Sequence, residues 1–98
     1  MNTRAFSLPS GDLASRSLAI PYRLEIEKLL STNNRDTIIQ IDLEHVESIS
    51  ESYADELFGM LVKEHGIDTI LDRMKIVNAD DFIISSIASV IQRRATMI

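Results

Sequence analysis

The spacing of apolar side chains along the chain predicts strands that alternate with helices. Residues 37–43, TIIQIDL, are β-branched and mostly apolar, which is typical of a strand covered on both faces. Residues 74–77 predict a second, shorter strand. Residues 3–8 precede a Pro-Ser-Gly turn and predict an N-terminal edge strand. Residues 44–50 are expected to form a loop.

The first helical segment covers residues 12–30, where apolar side chains recur at helical spacing. Pro21 lies inside this segment. Because proline lacks a backbone donor and its ring clashes with the preceding turn, we expect a kink or a break near residues 19–21. A second helix would then resume after it.

The second helical segment follows Ser50 or Ser52, either of which can cap its start, and ends at Gly66. One stripe of apolar side chains predicts its buried face, and this stripe consists of Ala54, Leu57, Phe58, Leu61 and Val62. Residues 67–71 are ambiguous and could form a short helical turn.

The last helical segment follows Asn78, which is expected to cap it, and ends with Arg93 and Arg94. Its predicted buried face consists of Ile83, Ile84, Ile87, Ala88 and Ile91. The order of elements favours an α/β fold with right-handed crossovers, in which a small sheet has parallel neighbours and a candidate N-terminal edge strand. We expect a single domain over residues 1–98.

Composition and charge narrow the class of protein. The chain has 98 residues and no cysteine, so a disulfide scaffold, a thiolate metal site and a cysteine nucleophile are excluded. A net charge of −5 makes nucleic acid a poor ligand. No signal-peptide core and no apolar run of about 20 residues is present. We therefore expect a cytoplasmic protein that does not bind membranes.

Signatures of catalysis are missing from the sequence. The three glycines stand alone, so there is no glycine-rich phosphate loop. His45 and His65 lack the spacing of metal ligands. Asp80 and Asp81 are explained by the start of the last helix. We expect no enzymatic activity, no metal and no cofactor.

The second helical segment has an unusual outer side. If its apolar stripe faces the core, then Ser52, Asp55, Glu56, Gly59 and Lys63 face outwards. A glycine inside a helix costs about 1 kcal/mol relative to alanine. Close packing within the chain and the close approach of a partner explain this glycine equally well. Likewise, the serines at positions 48, 50 and 52 indicate either caps and turns or a modification site.

Residues 38–61, IIQIDLEHVESISESYADELFGML, resemble the STAS superfamily of anti-sigma factor antagonists and their relatives. The run 52–59, SYADELFG, resembles an uncharacterised bacterial STAS-like family more closely. The resemblance implies a partner with a histidine-kinase-like ATP-binding fold and a phosphorylatable serine where the helix begins. Counting from Val46 places that serine on Glu51, which a serine kinase cannot modify. Three alternatives stay open: the switch is lost, Glu51 mimics the charged state in part, or the alignment slips by one residue and Ser50 or Ser52 serves.

These observations lead to a first hypothesis, a non-enzymatic regulatory module that docks a kinase-like or ATPase partner through the loop and the outer side of the following helix. The expected partner-binding residues are Glu47, Ser50, Glu51, Ser52, Tyr53, Asp55, Glu56, Gly59, Met60 and Lys63. Two alternatives stay open. One is a structural domain that forms a homodimer through an edge strand or the C-terminal helix. The other, less favoured, is a small nucleotide-binding protein.

Overall fold

A computed structural model describes residues 2–31 and 37–97 and has the predicted mixed α/β architecture. The elements are β1 (Asn2–Ser7), β2 (Gly11–Leu13), α1 (Arg16–Ser31), β3 (Thr37–Asp42), β4 (Val46–Ile49), α2 (Glu51–Ala54), a π-helical turn (Asp55–Gly59), α3 (Met60–His65), α4 (Ile67–Arg73), β5 (Met74–Val77) and α5 (Asp81–Thr96). The segments α2, the π turn and α3 follow one another without a break. We call them together the composite helix, residues 51–65.

The main sheet is parallel and has the strand order β1–β3–β5. Its register places Phe6 beside Ile41, and Ile41 beside Ile76. The strand predicted over residues 37–43 is therefore the central strand, β3. The predicted N-terminal edge strand, β1, does lie at an edge of the sheet. The side chains of Thr37 and Ile39 lie on one face of β3, which is buried, whereas the opposite face is partly exposed. The expectation that β3 is covered on both faces was therefore wrong.

A second, two-stranded parallel sheet pairs β2 with β4. The prediction of a loop over residues 44–50 was therefore wrong for Val46–Ile49, where the side chains of Val46 and Ile49 are buried. The prediction that the first helical segment includes residues 12 and 13 was wrong for the same reason, because both lie in β2. Both strands are short and form only because they pair with each other across a long stretch of sequence. Neither one therefore shows the alternation of apolar and polar residues that predicts a strand.

Helix α1 begins at Arg16 and continues through Pro21 to Ser31, so the predicted break is not present. The proline ring is exposed, and the helix forgoes the one hydrogen bond that a backbone N–H at this position would donate. Ala19 and Ile26 are buried on either side of Pro21. Their burial holds the two halves of α1 against the same core.

The start of α5 differs from the prediction. Asp80, not Asn78, caps the helix and accepts a hydrogen bond of 2.9 Å from the Ile83 amide. Asn78 instead has a φ of 59°, and its side-chain amide donates to Asp42 Oδ1 at 3.1 Å. Asn78 therefore shapes the connection from β5 to α5, because asparagine tolerates the left-handed region better than most residues do.

The buried face of α5 is also rotated from the predicted one. Ile83, Ile87 and Val90 are buried, whereas Ile84 and Ala88 are exposed. By contrast, the predicted apolar stripe of the composite helix is buried throughout. The Gly66 end of this helix is confirmed, with a φ of 86° that suits glycine. Across residues 2–31 and 37–97, none of the helices has the length and apolarity needed to cross a bilayer.

Candidate functional site

Two adjacent carboxylates of the π turn are buried inside the domain. Asp55 and Glu56 are only 8% and 7% exposed, and Gly59 is buried beside them. The prediction that these three residues face outwards was wrong for two reasons. Helices α1 and α5 both pack against the π turn and cover its outer side. A π turn also contains more residues per turn than an α-helix, so neighbouring side chains diverge less.

Asp55 is held by arginines from two different helices. Arg94 of α5 donates from Nε to Oδ1 and from Nη2 to Oδ2, both at 2.8 Å, which is a bidentate geometry. Arg16 of α1 donates to Oδ2 at 3.2 Å from both of its Nη atoms. The hydrogen bonds from Arg94 hold the pKa of Asp55 below its usual range, against the opposing effect of burial.

Glu56 continues the same set of contacts towards α1. Arg23 donates from Nε to Oε2 at 2.8 Å, and Arg16 donates to Oε1 at 3.2 Å. Arg23 also donates to Glu27 at 3.1 Å. We call these six residues the ion network, namely Arg16, Arg23, Glu27, Asp55, Glu56 and Arg94. Its three guanidinium groups and three carboxylates give the ion network no net charge. Charged groups inside a protein need partners of opposite charge to offset the cost of removing them from water.

The ion network also explains the glycine in the composite helix. A Cβ atom at Gly59 would lie 2.4 Å from Asp55 Oδ1 and 3.1 Å from Arg94 Cγ. Close packing within the chain, rather than the approach of a partner, therefore accounts for this residue. The sequence contained one signal of the network, a glycine four positions after an aspartate inside a helix. Its arginine partners could not be found from local spacing, because Arg16, Arg23 and Arg94 all lie more than 30 residues away in the sequence.

Tyr53 is buried as well, so the expectation that it contacts a partner was wrong. Its hydroxyl has no hydrogen-bond partner in the part of the chain that the structure describes. Burial raises the pKa of Tyr53 to about 12, and the nearby Tyr22 adds to the shift.

Replacing Tyr53 with phenylalanine is expected to leave the free energy of unfolding unchanged or to raise it by about 1 kcal/mol, because it removes an unsatisfied buried hydroxyl. The raised pKa means that the wild type loses stability as the pH rises from about 10 towards 12. Tyr53→Phe should lose less over this window. Urea denaturation at pH 7 and pH 11 measures both effects, and a marked destabilisation at pH 7 would show that the hydroxyl has a partner.

The two serines at the start of the composite helix have different environments. Ser50 caps the helix: its hydroxyl accepts from the Tyr53 amide at 3.0 Å and donates to the Ala14 carbonyl at 2.8 Å. Ser52 is exposed. It lines a depression that also contains Arg16 and Arg93. Of the two candidate phosphorylation sites, Ser52 is therefore the accessible one.

The other predicted contact residues are spread over the surface. Glu47 and Glu51 are exposed, and Glu51 forms a salt bridge with Arg93 of α5. Met60 is half-buried. Lys63 is exposed but lies at the far end of the composite helix, beside a separate open depression of about 390 Å³. The predicted residues thus do not form one continuous surface.

An open groove of about 290 Å³ runs between the start of the composite helix and α5. It is lined by Glu51, Phe82, Ser85, Ser86, Ser89, Val90 and Arg93. Phe82 is 78% exposed, which is unusual for a side chain of this size and apolarity. The described residues contain no group of three or more acidic or histidine side chains that could hold a metal ion.

The fold and this site together define a small α/β domain. The ion network links its composite helix to α1 and α5, and an open groove lies beside this helix. The model of a family described as a STAS-like domain of unknown function (DUF4325) matches residues 22–83, more than half of the chain. The chain belongs to this family, as the resemblance indicated. No curated protein and no solved structure gives a significant match.

Proposed function

We propose that the domain is a non-enzymatic regulatory module that docks a protein partner through the groove between the composite helix and α5. The observation that carries this proposal is the exposure of Phe82 beside the exposed Glu51. Exposed aromatic side chains next to polar rims are typical anchors of protein interfaces.

The docking surface differs in part from the one that the sequence indicated. Glu47, Glu51 and Ser52 keep their proposed roles because they are exposed. Tyr53, Asp55, Glu56 and Gly59 are enclosed by the chain and act indirectly, by fixing the helix that presents the surface. Phe82 and the serines of α5 that line the groove replace them as the proposed contacts to the partner.

The proposed partner is a histidine-kinase-like ATPase in the bacterial cytoplasm. Support comes from the STAS-like family, whose matched region includes the start of the composite helix and Phe82.

Regulation could act at Ser52. A phosphate there would add about two negative charges next to Arg16 and Arg93, and would compete with the carboxylates that now pair with them.

A partner captured on the tagged chain, then purified and titrated by calorimetry, tests the proposal. Phe82→Ser is expected to weaken the affinity by about tenfold or more, as the loss of an anchor does. Leu71→Ser is the matched control, because Leu71 is 65% exposed but lies on α4, outside the groove.

Equal effects of the two substitutions would contradict the proposed docking surface. Micromolar binding of a labelled nucleotide to the isolated chain would instead favour the nucleotide-binding alternative. Ser52→Asp should weaken binding of the same partner, whereas Gln92→Glu adds a negative charge at an exposed position of α5 outside the groove lining and serves as the control. Equal affinities for these two variants would remove the proposed switch.

A further inference from the structure

A depression of about 330 Å³ lies where the start of α1, the start of the composite helix and the end of α5 come together. This volume is at the lower end of the range found for small-ligand sites. Its lining includes three arginines, and we therefore call it the arginine depression. The charged and polar residues that line it are Arg16, Arg93, Arg94, Glu51, Ser52 and Asp55.

Positive charge reaches solvent at the arginine depression, whereas most of the matching negative charge is covered. The side chains of Asp55 and Glu56 are 11% and 10% exposed, but the Arg16 side chain that pairs with both is 45% exposed. Arg93, which lies outside the ion network, is 49% exposed. The network has no net charge, yet its cations face outwards here. An anion is therefore attracted to this place on a chain whose net charge is −5.

The guanidinium groups of the arginine depression have donors to spare. Arg16 and Arg94 both donate to Asp55 Oδ2, at 3.2 and 2.8 Å, so two guanidinium groups share one carboxylate. Each guanidinium carries five N–H groups. Among residues 2–31 and 37–97, Arg16 Nε and Arg94 Nη1 have no hydrogen-bond partner, and Arg93 donates to Glu51 alone. A second anion would find unused donors on all three arginines.

We propose that the arginine depression binds a phosphate group, either as inorganic phosphate or as a small phosphate monoester. Guanidinium groups recognise phosphate through paired, charge-assisted hydrogen bonds. A phosphate monoester carries about 1.5–2 negative charges at pH 7 and three strong acceptor oxygens. It can therefore accept from several guanidinium groups at once, which the two oxygens of a carboxylate do less well. The ligand is not attached to the chain, so the site is separate from a modification of Ser52.

Glu51 is the competitor that such a ligand has to replace. It is the exposed carboxylate of the lining and pairs with Arg93. Exposed ion pairs contribute little stability, so a phosphate dianion can take the place of Glu51 beside Arg93. Asp55 stays in position, because it is mostly covered and Arg94 holds it with two hydrogen bonds. Removing the charge of Glu51 and removing the charge of Arg93 should therefore have opposite effects on phosphate binding.

Two-dimensional NMR of the isotope-labelled chain tests the proposal, with inorganic phosphate added from about 0.1 to 20 mM at pH 7 and constant ionic strength. We expect saturable shifts of the Ser52 amide and Arg93 side-chain signals with a Kd of about 1 mM. Glycerol 3-phosphate and acetate are titrated in parallel. Acetate should bind about tenfold more weakly than phosphate. Tighter binding of the ester would identify a phosphorylated small molecule as the ligand, and tighter binding of phosphate would identify the free ion.

Three substitutions locate the site. Arg93→Gln should weaken phosphate binding by about tenfold or more, because a charge-assisted hydrogen bond is lost. Arg4→Gln is the matched control, since it removes the same charge from an exposed position of β1 outside the depression, and it should change the affinity by less than about twofold. Glu51→Gln should strengthen binding several-fold. A gain of affinity cannot result from misfolding.

Absence of saturable shifts up to about 20 mM phosphate would overturn the proposal. Equal affinity for acetate and phosphate would do the same, as would equal losses in Arg93→Gln and Arg4→Gln, or a loss in Glu51→Gln. Phe82 does not line the arginine depression, so Phe82→Ser should leave phosphate binding unchanged. Because phosphate binding is measured without a protein partner, this proposal and the proposed docking function can fail independently.

Discussion

Replacing Asp55 with alanine is expected to lower the free energy of unfolding by about 3 kcal/mol. The substitution leaves Arg94 without its bidentate partner, and it removes two of the three hydrogen bonds that Arg16 donates. Because the Arg94 side chain is mostly covered, water cannot fully replace the lost carboxylate. Urea denaturation followed by circular dichroism measures the change.

The matched control is Glu51→Ala, which removes an exposed carboxylate from an exposed arginine, Arg93. Surface pairs of this kind contribute about 0–1 kcal/mol, so the control should remain close to the wild type. If Asp55→Ala were as mild as Glu51→Ala, the ion network would not stabilise the fold.

The stabilisation by Asp55 should also depend on pH. Its pKa is lowered in the folded state, so its contribution is present above the ordinary aspartate pKa of about 3.9 and is lost as the pH falls below it. The difference between the wild type and Asp55→Ala should therefore shrink from pH 7 towards pH 3. An unchanged difference at low pH would show that the carboxylate charge is not the cause.

Replacing Gly59 with alanine should destabilise the domain by about 1–3 kcal/mol, although the same change in an ordinary helix interior stabilises by about 1 kcal/mol. The new Cβ would lie 2.4 Å from Asp55 Oδ1. That oxygen has little room to move, because it accepts a hydrogen bond of 2.8 Å from Arg94 Nε. Thermal denaturation gives the sign of the effect directly.

The same substitution in the Asp55→Ala background is its sharpest control. Without the Asp55 carboxylate, the closest clash at position 59 is gone and the flexible Arg94 side chain can shift, so the higher helix propensity of alanine should prevail. The effect of Gly59→Ala is thus expected to change sign between the two backgrounds. A destabilisation of equal size in both would mean that the clash lies elsewhere.

The parts of the fold that follow from local periodicity were predicted from sequence. Ile39 and Ile41 repeat with the spacing of a strand, and Leu57, Phe58 and Leu61 with the spacing of a helix. In both cases the residues that define the pattern lie a few positions apart. The STAS-like family follows from the same stretch of chain.

The parts that depend on distant partners were not predicted. β4 becomes a strand because it pairs with Gly11–Leu13, more than 30 residues earlier. Asp55 is buried because Arg94, 39 residues later, reaches back to it. An α-helical projection also cannot show that Asp55 and Glu56 share a buried side, since it assumes a regular turn. The sequence therefore located the site at Asp55, Glu56 and Gly59, but it wrongly predicted that these residues are exposed.

The π turn also fixes the rotational phase between the two ends of the composite helix. Such a turn carries one residue more than an α-helix would use, and each residue advances an α-helix by about 100°. Loss of one residue within Asp55–Gly59 would restore regular geometry but turn Tyr53 and Ala54 out of the core by that angle. Glu51 would swing away from Phe82 with them. Relatives that keep this architecture should therefore lack insertions and deletions here, and the five positions should align without gaps.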